Sequence, residues 1–397
     1  MSSVAGTASA RNLRLVAHHD LGGYGDGMQV LREGDALYVG HTGTTGMGTS
    51  ILDVGDPAQP ALVTQWPAPP RTHTHKVQVA DGLLLVNHEK FPYRAATTRR
   101  FSAGLAVYRL EDPLNPERVA FWPSGGNGVH RVVWTGGRHA HMSATPDHFR
   151  DRIWVILDLS DPRHPVEAAR WWWTGQRDDE APGWPAGQRH AAHHALIHAD
   201  RAYLGYDDAG MVVLDVSDMS DPRLAGHLSW GGGSTHTCLP LPGRELVVAT
   251  DEQVHDGPGA PDRAIRVIDV SAGSGQVIAR LPDPGPAFQE LPLRFGAHNL
   301  HENRPGSYRS ERLIFATYFS AGVRVYDLVD AEHPVEVAHW IPEPPAGQPV
   351  AQINDLFVDA DGLLWVTDRI GGGLYVLRAE RPLAALMDQA RADQRGQ

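Results

Sequence analysis

The chain has 397 residues and a formal net charge of −12, with 35 Lys and Arg against 47 Asp and Glu. That balance, without basic runs, argues against a nucleic-acid partner, and no apolar run of about 18 residues is present to cross a membrane as a helix. A single cysteine, Cys238, excludes an internal disulfide, and the opening MSSVAGTASARN has no apolar signal core, so a cytoplasmic protein is expected.

Taken in order, residues 1–12 read as a disordered tail and residues 13–21, LRLVAHHDL, as a lone strand. Repeats then begin at GDGMQVLREGDALYVGHTG, HTHKVQVADGLLLVNHEKF, GVHRVVWTGGRHAHMSA, HHALIHADRAYLGYDD, THTCLPLPGRELVVATDE, AHNLHENRPGSYRSERLIFATYF and QINDLFVDADGLLWVTDR. The clearest copy runs from His190 to Trp230 and predicts a meander of four short antiparallel strands. Its third strand, MVVLDV, enters a Pro-Asp turn, and the same element recurs in ILDVGDPAQPALVTQW, VILDLSDPRHPVEAARW and VRVYDLVDAEHPVEVAHW. The last copy, GGGLYVLRAE, stops after its third strand, and LRLVAHHDL has the pattern of the missing fourth. Repeats of roughly 40 to 50 residues with four strands each predict an all-β, seven-bladed β-propeller over residues 13–380, closed by an N-terminal strand that completes the last blade. Residues 381–397 read as a C-terminal tail.

The 22 histidines are the unusual feature of the composition. Stacking the repeats on their turns brings one position into register, occupied by Asp26, His75, His130, His194, His236, His298 and Asn354. The first strand of a propeller blade lines the shared axis, so this position predicts a polar ring there, and none of these side chains suits a dry core unpaired. The candidate metal ligands are therefore His75, His130, His194, His236 and His298. Imidazole suits Fe, Cu, Zn or Mn and disfavours Mg and Ca. Fe or Cu leads for redox chemistry; Zn or Mn fits a Lewis-acid role. The other reading is a water-filled channel in which the rings bond one another. Five imidazoles exceed the three or four that such an ion commonly takes, and His236 is the least favoured because Pro240 interrupts its strand. Asp26 is the candidate general base and Asn354 completes the ring. Glu89 and Glu290, with Glu252, read as lying outside the strands and are candidates for a catalytic base or an acceptor. His73 and His193 precede ring positions and read equally as ligand-orienting or solvated. Asp207, Asp251 and Asp368 read as one second-strand position with a repeat-specific hydrogen bond.

Long connections enter the first strands, among them WWWTGQRDDEAPGWPAGQRHA. Trp172, Trp173, Trp184, Phe91, Tyr93, Phe288 and Phe295 make them aromatic, and Arg94, Arg99, Arg100 and Arg294 could hold an anionic substrate group. For most of the aromatics, packing the loops down is the simpler role.

The motif GMVVLDVSDMSDPRL, with VILDLSDPRHPVEAARW and VRVYDLVDAEHPVEVAHW, closely resembles the LVIVD repeat of bacterial β-propeller proteins. The likeness spans nearly the whole chain and implies fold rather than activity. The histidine ring is similar in logic to selenium-binding protein, a methanethiol oxidase with a His-rich copper site, and to carotenoid cleavage oxygenases, which hold non-haem iron with four histidines. Here five histidines stand where four would, and there is no Cys near the N-terminus, so the resemblance implies a cofactor type but not a substrate. The expected function is that of a metal-dependent enzyme, an oxidoreductase or oxygenase acting on a small aromatic or apolar substrate. A non-redox hydrolase or lyase, or a binding propeller without catalysis, is the alternative.

Overall fold

The computed structural model describes residues 7–92, 100–231, 233–252, 254, 263–273 and 275–395. Its strands follow the repeat. In the clearest copy His194–His198, Arg201–Gly205, Met211–Asp215 and Arg223–Leu228 pair in that order, all antiparallel. The third strand is β-branched and largely buried; the fourth is mostly exposed. Such a sheet is stable only with a neighbour over its apolar face.

The turn after each third strand explains why the sequence repeats Asp-x-x-Asp. In the same copy Asp215 Oδ1 accepts the Ser217 amide at 3.0 Å and Asp218 Oδ1 accepts the Ser220 amide at 2.9 Å. Asp53 with Asp56, Asp158 with Asp161 and Asp327 with Asp330 do the same. These are side-chain-closed turns that short Asp residues favour. A bulge follows in the same place each time, at Ile51/Leu52, Ile156/Leu157, Val213/Leu214 and Val325/Tyr326, and it adds twist to the outer pair of strands.

Four-stranded sheets form from residues 27–67, 194–228 and 235–280. Two further repeats merge into one nine-stranded sheet through a single pairing, Gly128 with Glu89. Gly128 has φ +101, and a Cβ there would sit 2.3 Å from the His88 carbonyl oxygen, so only glycine fits. The sheet of Ile353–Val358, Leu363–Asp368 and Gly373–Ala379 is completed by Leu13–His19, as the split repeat predicts.

The expected tails are corrected. Ser9–Arg11 is a strand on the outer edge of Val335–Ile341. Arg381–Arg395 is a helix whose Leu383, Met387 and Ala390 are buried, and Tyr308 donates its hydroxyl to the Met387 carbonyl at 3.1 Å. The i, i+4, i+7 spacing of those three residues is the signal of one apolar face, short enough to pass for a tail. Pro240 does not break its strand either: Thr235–Leu241 is continuous. It is an edge strand of its sheet, and an edge strand has positions that need no N–H for the ladder.

The chain forms two compact units, Leu31–Gly55 with Ala61–Cys238, and Met1–Val30 with Asp56–Pro60 and Leu239–Gln397. Among the described residues no helix is long and apolar enough to cross a membrane.

Leu13 and Leu21 are both buried, and Leu13 joins Leu377 and Trp340 in one apolar cluster. Deleting residues 1–21 is expected to abolish soluble, cooperative folding, whereas deleting residues 1–8 should leave the melting temperature of the full chain unchanged. Circular dichroism melts decide it; full-length-like melting of the longer truncation would show that the strand is dispensable.

Candidate metal centre

Within the unit of residues 31–55 and 61–238, the first strands are held by a repeated contact. The fifth residue of each second strand is Gly40, Asn87, Ser143 or Gly205, and three of these touch the backbone of the next repeat. A Cβ on Gly40 would lie 2.6 Å from the His75 carbonyl, and one on Gly205 would lie 2.5 Å from the His236 carbonyl oxygen. Asn87 takes the Lys76 amide on its Oδ1 at 2.7 Å, and its amide nitrogen donates to the Val129 and His130 carbonyls at 2.7 and 3.2 Å. The same amide lies 3.2 Å from His75 Nδ1.

So fixed, the imidazoles form a continuous run. The rings of His73 and His75 stack at 3.9 Å, His75 and His130 are 5.0 Å apart, His130 and His193 4.8 Å, and His193 and His236 3.9 Å. His194 lies 6.3 Å from His236. Glu89, expected outside the strands, lies inside Leu83–Lys90 and is buried among these rings. Its Oε2 accepts His73 Nε2 at 2.6 Å and His130 Nδ1 at 2.8 Å. A carboxylate only accepts, so His130 carries its proton on Nδ1 and its Nε2 is basic. That Nε2 then receives the Nε2–H of His193, 3.1 Å away.

Burial dominates the protonation states. It lowers His75 well below the ordinary histidine value, with the neighbouring His73 and His130 rings and the cations Lys76 and Arg131 adding to the effect. It lowers His130 to about 3, against the pull of Glu89 and with help from Arg152. His193 falls in the same direction, through burial first and then His236 and Arg152. Burial alone would raise Glu89, but the charge interaction with His130 and the hydrogen bonds from both rings outweigh it and hold the carboxyl well below its usual range. At neutral pH His75, His130 and His193 are thus neutral beside an ionised Glu89, the protonation state in which such groups bind metals.

His73, His75 and Glu89 each bring a ligand atom within 4.8 Å of the others. Two buried atoms there have no hydrogen-bond partner, His75 Nε2 and Glu89 Oε1. Orphaned buried donors and acceptors are uncommon, and this pair fits a cation. The group could therefore hold a metal ion.

Other ring positions belong to the second unit. His298 donates its Nδ1–H to the Asn354 carbonyl at 2.7 Å, which leaves Nε2 basic and 3.6 Å from Glu252 Oε1. Glu252 also accepts Arg294 Nη1 at 2.9 Å. Thr250, Thr317 and Thr367 fill the fifth second-strand position there and donate to the carbonyls of His298, Asn354 and Met28 at 2.9, 3.0 and 3.1 Å. Asn354 is engaged mainly through its backbone oxygen and, at 2.8 Å, through its side-chain amide on the Met28 carbonyl. Asp26 is buried. Glu290 is exposed in the loop after Pro286–Phe288.

His73 and His193 are thus members of the cluster, and His-x-His at residues 73 and 75 was the available signal. The three aspartates do not share one role or one position. Asp368 caps backbone amides of Gln352, Ile370 and Gly372. Asp251 pairs with Arg266, and Asp207, one residue further along, pairs with Arg152. Most loop aromatics meet rings nearby: Trp184 stacks on His190 and Phe288 on Phe295 within their own loops, while Trp173 meets His227 of the strand Arg223–Leu228 edge-on. Phe91 is stacked 4.9 Å from His73. Tyr93, Arg94 and Arg99 lie outside the described residues.

Comparison with known proteins agrees with this architecture. Residues 197–229 match the LVIVD repeat. The match falls on the module that shows the repeat most clearly in the sequence. The fold is similar to the WD40 repeats of RRP9, at 10% identity and TM-score 0.60 over 93% of this chain and 99% of that one. It is also similar to a protein from Lactobacillus plantarum (13%, 0.59, 87% and 96%) and to the periplasmic gluconolactonase of Pseudomonas aeruginosa (11%, 0.58, 87% and 99%). At these identities the likeness is one of fold: an all-β propeller. No curated protein matches the chain in sequence.

Several histidines have lowered values, His75 and His193 strongly, His88 and His301 to about 4, His130 and His141 to about 3, burial leading in each. In the unfolded chain these rings take protons near the ordinary value of about 6.5. Below it the unfolded state binds more protons, so stability falls with pH by up to about 1.4 kcal/mol per unit for each ring, until the folded value is reached. The melting temperature should drop steeply between pH 7 and 5; a flat profile there would contradict neutral buried rings.

Proposed function

We propose that the chain is a metal-dependent enzyme whose ion is held by His73, His75 and Glu89. The observation that carries this reading is the pair of buried, unpartnered ligand atoms, His75 Nε2 and Glu89 Oε1. Two imidazoles and one carboxylate are the donor set of non-haem iron oxygenases and also of zinc hydrolases. The carboxylate shifts the expected metal from copper towards iron, with zinc or manganese next. The bound ion would supply either oxygen activation or polarisation of a substrate carbonyl.

The protein's own residues prepare that chemistry. Glu89 orients His73 and His130 through its Oε2. His130 links Glu89 to His193 through Nδ1 and Nε2, so a proton taken up at His193 Nδ1 can be matched by one passed along the hydrogen bonds to Glu89. Phe91, against His73, offers an apolar wall to a small aromatic or apolar substrate. In this reading the chain carries seven repeats and the enzyme works in the cytoplasm. Hydrolysis is the second reading, favoured by the donor set itself, two imidazoles with one glutamate.

Untagged protein, stripped with chelator and reconstituted with Fe(II), Zn(II), Mn(II) and Cu(II) in turn, tests the site. His75→Ala and Glu89→Ala should each weaken binding at this site by at least about 10-fold, since even groups that only orient a ligand can matter on that scale. Unchanged affinity in both variants would remove the proposal. Oxygen uptake by the iron form against lactone or ester hydrolysis by the zinc form separates the two readings.

A further inference from the structure

We propose that the unit of Met1–Val30, Asp56–Pro60 and Leu239–Gln397 carries a binding site for a small aromatic amine in its ammonium form. The site is a cavity of about 570 Å³, within the size range of small-molecule pockets. It is lined from the strand Leu13–His19, from its partner Gly373–Ala379, from the end of Val335–Ile341 and from the loop of residues 342–346. His73, His75 and Glu89 do not line it, so it stands apart from the function proposed above.

The walls are apolar and are held by the protein's own contacts. Three rings build one wall: His18 stacks on Tyr375 at 4.7 Å, and Tyr375 meets Trp340 at 4.9 Å and 60°. His18 donates its Nε2–H to the Gly372 carbonyl at 2.6 Å, which fixes the ring. Pro342, Pro344 and Pro345 line the cavity from the loop. Proline holds its own φ and has no N–H to leave unmet. The amides of Gly371 and Gly372, also in the lining, are already taken by the Gly25 carbonyl at 2.9 Å and by Asp368 Oδ1 at 3.0 Å. Leu15 lines the same cavity and is 47% exposed, although it is large and apolar. An apolar ring placed here removes that surface from water.

Charge decides the class of ligand. Among the described residues no Lys or Arg lines the cavity, and Glu343 is its one carboxylate. Glu343 is exposed and has no ion-pair partner among the described residues. An anionic ligand would be repelled by it and a neutral one would leave it unused, whereas an ammonium gains a counter-charge. The net charge of −12 adds a longer-range attraction for cations.

The test is calorimetric titration of the full-length protein at about 0.15 M salt, where exposed charges are well screened. The probes are tryptamine, its uncharged counterpart indole-3-ethanol and its anionic counterpart indole-3-propanoate. Tryptamine should bind at one equivalent and raise the melting temperature, because it binds the folded state alone. It should bind about 3- to 5-fold more tightly than the alcohol, as an exposed ion pair allows, and the acid should bind most weakly. Glu343→Gln should bring tryptamine to the affinity of the alcohol and leave the alcohol unchanged. Ala346→Trp, which fills the cavity from an exposed loop position, should abolish binding in protein that melts like wild type. Treatment with chelator should change nothing. No saturable binding of tryptamine, equal wild-type affinity for amine and alcohol, binding that chelator removes, or binding untouched by both substitutions would each overturn the proposal. So would a dimer that Ala346→Trp disperses, since a second copy of the chain would then cover the cavity.

Discussion

The structure depends on how closely the second strand of one repeat approaches the first strand of the next. At the fifth residue of the second strand, Ser143 apart, the space is either empty of side chain or filled by a single hydrogen-bonding group. Gly40 and Gly205 let a neighbouring carbonyl come within the distance a Cβ would need. Asn87, Thr250, Thr317 and Thr367 instead donate to a carbonyl of the next first strand. Either solution satisfies the rule that buried backbone oxygens need partners or close-packed neighbours. It also fixes the backbone from which His75, His130, His236 and His298 project, so the same contact that packs the repeats aims their functional side chains.

The buried histidines are maintained by electrostatics as much as by packing. Lys76, Arg131 and Arg152 are each at least nine-tenths buried and lie close enough to disfavour further positive charge on His75, His130 and His193. Such cations are rarely buried unless compensated, and Arg152 has Asp207 at 3.2 Å. Neutral imidazoles keep their lone pairs, and Glu89, supplied with two N–H donors, keeps its charge. A rigid, dehydrated donor set of this kind costs stability, and the Asp-closed turns and apolar clusters of each repeat offset it.

The repeat itself was legible in the sequence. MVVLDVSDMSDP states a buried strand, a pair of side-chain-closed turns and a change of strand in twelve residues, because strand periodicity and Asp turn chemistry are local. The split last repeat announced the pairing of Leu13–His19 with Gly373–Ala379 for the same reason. The helix at Arg381–Arg395 and the strand at Ser9–Arg11 were missed, since each is stabilised by a partner far away in sequence. The alignment of repeats also named His75, His130, His194 and His236, because a residue at a fixed place in a repeat must recur at a fixed place in space.

What the sequence determined by itself was therefore the all-β repeat, its closing strand and the register of the histidine positions. What only the tertiary structure decided was which donors meet. Glu89 reaches His73 and His130 through a bridge at Gly128 that no local pattern encodes. His193 joins His130 and His236 because a residue preceding the strand lies among rings from the neighbouring repeats. Thr237 touches two rings because adjacent first strands converge. Hydrogen bonds select atoms within about 3 Å, and separations on that scale are set by packing between repeats, which one-dimensional periodicity does not contain.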